Sequence, residues 1–352
     1  MLEFIIYFED KKRGFMLKVG LIGCGGMGVR HSKCWQALGD EVKLVAIADA
    51  NDGNKYTTEE AERSGARVYS SGEEMIEKEE LDIVDVCSPT FLHAKHAVMA
   101  MEKGMNVLIE KPVCLNEDEA KLLLDAEKRC GVKVEVGHVI RFWDEYVWLK
   151  DVVDKKTYGE MVSASFQRLS RRPGWGWKDW FNNPDMSGTA VLDLQIHDVD
   201  FMRYIMGSEP DDMVCRATRN KDGVLEHILS TFSYGDILVS VEGEWDFPKQ
   251  FPFNANYRVT FDDATVVFER GTVTVYMNNG ETVSPEIPKF YDDIPESLIN
   301  DPGLHPYYNE IKYFVEKLLS GEEIEIAPLS EAVESARLVW KEIKAVGGKV
   351  KK

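Results

Sequence analysis

The stretch LKVGLIGCGGMGVRH, residues 17–31, decides the fold. A short β-rich run at 17–22 ends in Gly23-Cys24-Gly25-Gly26-Met27-Gly28, and residues 28–38 continue with a helical pattern. A GxGxxG that closes a strand and opens a helix has a physical purpose. The glycines permit a tight turn and a close approach of backbone to a pyrophosphate, and the helix N-terminus offers free N–H groups and partial positive charge. The next apolar run, VKLVAIAD at 42–49, ends at Asp49, 21 residues past Gly28. A carboxylate there can accept the ribose 2′-hydroxyl of NAD and would repel the 2′-phosphate of NADP. No arginine follows directly; the next residues are Ala50, Asn51 and Asp52.

Outward from this point, apolar strands alternate with helices as far as VKVEVGH at 132–138. That is the βαβ pattern of a doubly wound parallel sheet, an α/β Rossmann unit over residues 17–137. Near-continuous apolar strands such as VAIAD and NVLIE suit a sheet covered on both faces. Beyond about residue 150 the pattern changes to strands joined by turn-like links, among them YGEMVSASFQRL, ILVSVEGEW and NYRVTFDDATVVFER, the last read as a single strand. Short links imply antiparallel pairing. Only LDLQIHDVDFMRYIMG interrupts with a helical period, and two amphipathic helices close the chain. Residues 138–352 are therefore expected to form an α+β unit with a large open, mainly antiparallel sheet for substrate binding and oligomerisation. Its C-terminal helix has the option of packing back on the first unit. Residues 1–16 are either a genuine extension or precede a start at Met16.

A chain of 352 residues suits about two domains. Net charge −19 repels phosphate backbones and anionic bilayers, which argues against nucleic-acid and membrane partners. No run of about 18 apolar residues is present, so no membrane span is expected. Six scattered cysteines without a CxxC pair imply reduced thiols in a cytoplasm. No His/Cys/Asp group shows metal spacing, and no metal is expected.

Two further motifs carry chemistry. Glu110-Lys111-Pro112 follows the strand MNVLI, and ligands of open α/β sheets bind at the carboxyl ends of strands. Ser88-Pro89 ends the preceding strand in the same way and is expected to shape the nicotinamide side of the cleft. Asp193-Leu-Gln-Ile-His197 places a carboxylate and an imidazole at i, i+4, on one face of a helix. Such a pair can transfer a proton, the acid orienting or charging the base, or it can be a plain helix ion pair.

Together these motifs resemble the glucose–fructose oxidoreductase / inositol dehydrogenase / MocA (Gfo/Idh/MocA) family. The residues that carry the resemblance are Gly23 to His31 (GCGGMGxxH), Ser88 to His93 (SPTFLH), Glu110-Lys111-Pro112 and residues 187–200 (SGTAVLDLQIHDVD). The resemblance implies a Rossmann unit, an open-sheet unit, and NAD(P)-dependent oxidation or reduction of sugars, polyols, cyclitols or sugar acids. By it Lys111, Asp193 and His197 are catalytic. Gly23, Gly25, Gly26, Met27, Gly28, Asp49, Ser88, Pro89, His93, Glu110 and Lys111 contact the cofactor, NAD rather than NADP. The sequence departs from the family at Thr189 and Gln195, where glycine is frequent, and both changes are expected beside the substrate. A histidine, with its pKa near 6.5, suits removal of a hydroxyl proton at neutral pH. His197 is the expected base, Asp193 its partner, and Lys111 the cation for the developing alkoxide. Arg141 is open to two readings, substrate contact or a hinge ion pair. Trp180 lies in a basic, aromatic stretch from Arg168 onward that suits a sugar or a subunit contact. Two other functions stay open: a non-catalytic dinucleotide sensor, and a reductase of a dicarbonyl or unsaturated substrate. A homodimer or homotetramer is expected.

Overall fold

The computed structural model describes residues 16–51 and 53–350; the two readings of residues 1–15 lie outside the described residues. Six parallel strands, β1 (Leu17–Ile22), β2 (Val42–Ala48), β3 (Arg67–Tyr69), β4 (Ile83–Val86), β5 (Asn106–Glu110) and β6 (Val134–Gly137), lie in the order 3-2-1-4-5-6. The order reverses between β1 and β4, where a doubly wound sheet opens a crevice at the carboxyl ends of its strands. The crossover helices are α1 (Gly26–Ala37), α2 (Lys55–Ser64), α3 (Gly72–Lys78), α4 (His93–Glu102) and α5 (Glu117–Cys130). Three start on side-chain caps: Asn54, Ser71 and Asn116 each accept a backbone N–H of the first turn. Helix α1 is different, since Gly25 at its cap supplies no side chain and leaves the first N–H groups free.

Helix α6 (Asp144–Asp154) leads into the second sheet. Strands β7 (Met161–Arg171), β8 (Asp212–Arg219), β9 (Leu225–Tyr234), β10 (Ile237–Phe247), β11 (Asn254–Phe261), β12 (Ala264–Glu269), β13 (Thr272–Met277) and β14 (Thr282–Val283) form it in the order 14-13-12-11-7-10-9-8. All neighbours are antiparallel except β7 and β10. One face buries Phe166, Phe232, Val241 and Val259, while the other carries Ser163, Ser165, Thr231 and Ser240 with exposed Val214, Leu229, Leu238 and Tyr276. The short α7 (Pro184–Ser187), α8 (Ile196–Met206), α9 (Glu296–Ile299), α10 (His305–Ser320) and α11 (Leu329–Ala345) complete the chain. Helix α10 packs on α1, and α11 packs on α5, β6 and α8. The last helix thus returns to the first sheet, with Arg337 bonded to Glu117. No helix among the described residues is long and apolar enough to cross a membrane.

Three local expectations change. NYRVTFDDATVVFER is a hairpin, β11 and β12 pairing around Asp262-Asp263. Asp262 is held there because its carboxylate accepts the Glu160 N–H at 2.9 Å. The helical run at 192–207 opens with a π turn, Ala190–Leu194, before α8 begins. Helix α6 is additional to the elements read from sequence, although Asp144 and Glu145 provide the acidic first turn that favours a helix start.

Two buried forks join the sheets. Arg141, in the turn after β6, donates Nε and Nη2 to Asp200 of α8 at 2.8 and 2.7 Å, and Ser335 of α11 donates to the same carboxylate at 2.7 Å. Arg168 of β7 donates Nε and Nη2 to Asp198 at 2.8 and 3.1 Å. Despite burial, Arg141 and His138 hold the Asp200 carboxyl below its usual range. Removing one member of such a pair strands the other charge, at a cost of about 3–5 kcal/mol. Arg141→Ala should therefore lower the free energy of unfolding by about 3–5 kcal/mol in a urea titration. Arg141→Met combined with Asp200→Leu should recover much of that loss; equal destabilisation by the single and the double change would contradict the stranded-charge account.

Candidate active site

The glycine turn at β1–α1 is shaped by contact as well as by conformation. Gly23 has φ +91°, and a Cβ there would sit 2.6 Å from the Cys87 carbonyl oxygen. A Cβ on Gly28 would fall 1.9 Å from the Gly23 oxygen. By contrast, Gly25 faces open space beside the uncapped start of α1, and a Cβ on Gly26 would meet only the Arg30 guanidinium, at 3.8 Å. An open cradle at a helix N-terminus fits a dinucleotide pyrophosphate. Asp49 closes the turn: Oδ2 accepts the Cys24 N–H at 2.8 Å and the Asn54 amide at 2.9 Å, and Oδ1 accepts the Asn51 N–H at 2.7 Å. Its carboxylate is fixed and part-exposed at the end of β2, within the cradle.

Around the cradle the polar residues lock loops together. His93 is buried with Nε2 2.7 Å from the Ser88 oxygen and Nδ1 2.9 Å from the Pro112 oxygen. It ties the Ser88-Pro89 loop to the Lys111-Pro112 loop, and burial lowers its pKa. The neutral ring has one N–H for these two carbonyls and lies buried between the loops, at the place where a cofactor contact is expected. His31, one turn into α1, lies with Nδ1 3.0 Å from Asp85 and Nε2 3.1 Å from Glu110. Burial pulls its pKa down, but the Asp85 carboxylate and Cys87 raise it well above the usual histidine value. Glu110 in turn accepts the Lys111 N–H at 3.1 Å.

Lys111 leaves β5 and crosses to the second unit. Its Nζ donates to the Asp193 carbonyl at 2.8 Å and lies 3.5 Å from Asp193 Oδ1. Burial raises the Asp193 carboxyl above its usual range, with Lys111 opposing. The expected Asp193–His197 pair is thereby corrected: the π turn swings Asp193 onto Lys111, and no hydrogen bond joins it to His197. Thr189 starts this turn with φ +62°, a conformation that is strained for a β-branched residue. It is held because its Oγ1 donates to the Leu225 oxygen at 2.8 Å. His197 keeps some contact with solvent, while its Nδ1 is shut away without a partner. Burial lowers its pKa well below 6.5, and the positive Lys111 and Arg168, with His138, lower it further. The imidazole is therefore neutral at pH 7.

Other expectations resolve by contact. The buried Arg141 guanidinium donates to Asp200 and to the Ile326 carbonyl, which is the hinge ion pair of its two readings. Gln195 is fully buried and donates to Glu342 of α11 at 2.9 Å. It points into the core beside Gly243, so the expectation that it borders the substrate fails. Trp180 stacks on Phe181 at 3.9 Å. The fold also gathers His31, Asp85 and Cys87, and His227, Glu242 and Glu244, into groups within metal-binding reach that sequence spacing did not reveal. In the second group the two ring nitrogens of His227 face different glutamates, 3.0 and 3.6 Å away, so the ring bridges carboxylates and the donors do not converge. All six cysteines are free thiols.

Known families match both halves of the chain. The family model described as "Oxidoreductase family, NAD-binding Rossmann fold" matches residues 17–138, and that of the "GFO/IDH/MocA C-terminal domain" matches residues 146–274. An oxidoreductase of Formosa agariphila is 28% identical over 265 residues, covering 72% of this chain and 78% of that protein. The glucose-6-phosphate 3-dehydrogenase of Bacillus subtilis is 30% identical over 210 residues, 58% of this chain and 57% of that protein, so the match spans little more than half of that relative. Among solved structures, a levoglucosan dehydrogenase in complex with NADH and levoglucosan aligns with a TM-score of 0.81 at 20% identity, covering 95% of this chain and 98% of that one. At that identity the likeness speaks for the fold alone. The two family models follow one another along the chain, over the first sheet and β7 to β12 of the second, and the chain belongs to the Gfo/Idh/MocA oxidoreductase family.

Proposed function

We propose that this chain is an NAD-dependent dehydrogenase that moves a hydride between nicotinamide and a secondary alcohol or carbonyl of a sugar, polyol, cyclitol or sugar acid. The observation that carries this reading is the Lys111 ammonium donating to the Asp193 carbonyl at 2.8 Å, in the π turn that leads directly into the helix of His197. Gly23, Gly25, Gly26, Met27 and Gly28 would hold the dinucleotide, with Asp49 at the adenosine ribose and Ser88, Pro89, Glu110 and Lys111 along the nicotinamide side. The dinucleotide, when bound, supplies the hydride acceptor or donor. During oxidation, Lys111 orients the substrate oxygen and stabilises negative charge as it develops there. His197 accepts the hydroxyl proton, which requires its neutral form. Asp193 acts on Lys111, fixing its ammonium, and is thus a positioning residue. A screen of sugars, inositols and uronates for NADH formation tests the reaction, and silence across the whole panel would sink it.

The exposed Val214, Leu229, Leu238 and Tyr276 on the outer face of the second sheet support self-association through that face, as a homodimer or homotetramer in a cytoplasm. Light scattering at micromolar concentration should give a multiple of the 40.0 kDa chain mass; a stable, active monomer would contradict it.

Cofactor choice follows from Asp49. NAD(H) should bind at least about tenfold more tightly than NADP(H), ~1.4 kcal/mol, in a calorimetric titration. Asp49→Ser should narrow that gap, and an equal affinity of the native chain for both cofactors would end the assignment.

For the chemistry, His197→Ala should lower kcat by roughly 10²–10⁴-fold while leaving NADH affinity nearly unchanged. Lys111→Ala should also lose most turnover, and Lys111→Arg should not restore it, because a planar fork cannot replace a compact ammonium. Oxidation needs neutral His197, and burial beside cations lowers its pKa. The rate should therefore be flat through neutral pH and fall only on the acid side of the ordinary histidine value. That acid limb should disappear in His197→Ala. A limb centred at or above pH 7, or one that survives the substitution, would assign the proton to another group.

A further inference from the structure

His138 takes no part in the chemistry above, yet the fold sets it against both Lys111 and the helix of His197. It follows β6, where Gly137 pairs with Glu110 of β5. A Cβ on Gly137 would come 3.3 Å from the Glu110 Cα, so the two strand ends run close. The residues after this pair, Lys111 and His138, leave the sheet side by side. An inverse γ-turn aims the second one: His138 has φ −80° and ψ 60°, and its N–H donates to the Val136 oxygen at 2.6 Å. Its Nδ1 reaches 3.3 Å from Asp200 Oδ2 of α8. Asp200 lies one helical step of i, i+3 beyond His197, and residues at that spacing are neighbours on one face, about 5–6 Å apart at Cβ. His138 thus stands where the Lys111 strand end meets the His197 side of α8.

The imidazole is 1% exposed, and neither of its nitrogens makes a hydrogen bond. The Asp200 oxygens are already taken by Arg141 and Ser335. His197 Nδ1 is likewise enclosed without a partner, which leaves Nε2 for the cleft. Buried polar atoms are normally paired, and a neutral imidazole carries one donor and one acceptor, so three unpartnered ring nitrogens on neighbouring residues call for an explanation. An enclosed water between the rings would satisfy a nitrogen of each and join them. Burial pushes the His138 pKa down to about 4; Asp200 opposes the fall, and Arg141 and Lys111 add to it. Burial also holds His197 well below 6.5, with Lys111, Arg168 and His138 adding to the effect, so neither ring traps a proton. Once a substrate covers Nε2, Nδ1 is the outlet that remains to the His197 ring.

We propose that His138 is a second carrier on the proton path. As hydride leaves the alcohol carbon for nicotinamide, the hydroxyl proton passes to His197 Nε2, and the Nδ1 proton of the same ring passes through an enclosed water to His138. His138 holds it beside the Asp200 carboxylate until the carbonyl product leaves and solvent enters the cleft. This role rests on the reading of His197 as the base. It is tested with the full chain, NAD and an alcohol that the sugar screen shows to be oxidised. His138→Gln keeps much of the bulk of the ring and its capacity for hydrogen bonds, but carries no proton at neutral pH. It should lower kcat for oxidation by roughly 10²-fold, the low end for a lost proton transfer, with KM, NADH affinity and the urea midpoint nearly native. His138→Asn should behave alike. In both, the solvent deuterium effect on kcat should grow and the effect of deuterium on the oxidised carbon should shrink, because proton departure becomes the slow step. A displaced helix would instead slow the hydride and enlarge the carbon effect. His197→Ala combined with His138→Gln should be no slower than His197→Ala alone, since both residues serve one path. Native turnover in His138→Gln, a loss confined to KM, a larger carbon isotope effect, or losses that multiply in the double variant would each overturn the carrier and leave His197 as the base. Native turnover in His197→Ala, or silence of the whole sugar panel, would remove the base and the carrier together.

Discussion

Everything at the candidate site depends on how α8 is clamped. His197 directly precedes Asp198 and lies three residues before Asp200, and each of these buried carboxylates is gripped by an arginine fork. The arginines come from opposite sides: Arg168 from β7 of the second sheet, Arg141 from the turn that leaves the first. A buried ion pair that slides apart loses several kcal/mol, whereas an apolar contact that slides loses little. Charges are therefore a stiffer way than packing to fix one rotation of a helix. The pairs that orient the His197 backbone also set the relation of the two sheets, so a change in one would be felt in the other.

The second constraint is the wide turn before α8. In a regular helix the Asp193 carbonyl would point along the axis to the N–H four residues on. The π turn breaks that ladder and frees the carbonyl for Lys111. The turn's cost is visible at Thr189, a β-branched residue in a left-handed conformation. Glycine would sit there without strain, but it would lack the hydroxyl that fastens the turn to Leu225. Strain at an entry residue and an extra helical residue at a charged site commonly occur together.

Much of this architecture was legible in sequence because it rests on local rules. The glycine turn and the alternation of strand and helix each lie within a few residues of their cause. The split of residues 254–269 into a hairpin was missed because its signal, Asp262-Asp263, is a polar pair without glycine, and Asp262 is fixed by Glu160 about a hundred residues away. At the site, Lys111, Asp193 and His197 were found by type and spacing, but their pairing was not. An i, i+4 argument assumes 3.6 residues per turn, and the π turn invalidates that assumption. Arg141 stays open to two readings in sequence, and Gln195 is misplaced, for a different reason. Their partners, Asp200 and Glu342, are remote in sequence, and a polar residue's partner decides whether it faces a ligand or the core.

The same logic explains the histidine that follows the glycine turn. His31 has no place in the proposed hydride chemistry, yet it is fully buried among charges. Asp85 holds one side of its ring, and the other side lies against Glu110, whose second oxygen receives the Lys111 N–H. Trp35 donates to the same Asp85 carboxylate at 2.6 Å, so the aspartate is satisfied without water. Glu310 of α10 is buried nearby, and burial, then the like charge of Glu110, raises its carboxyl well above the usual range. The result is one uninterrupted chain from α1, through His31 and Glu110, to Lys111. The helix whose N-terminus offers the phosphate cradle thus also sets the height of the lysine. A displacement of α1 large enough to spoil the cradle would break a buried imidazolium pair, and the energy that keeps the lysine in register keeps the cradle in shape.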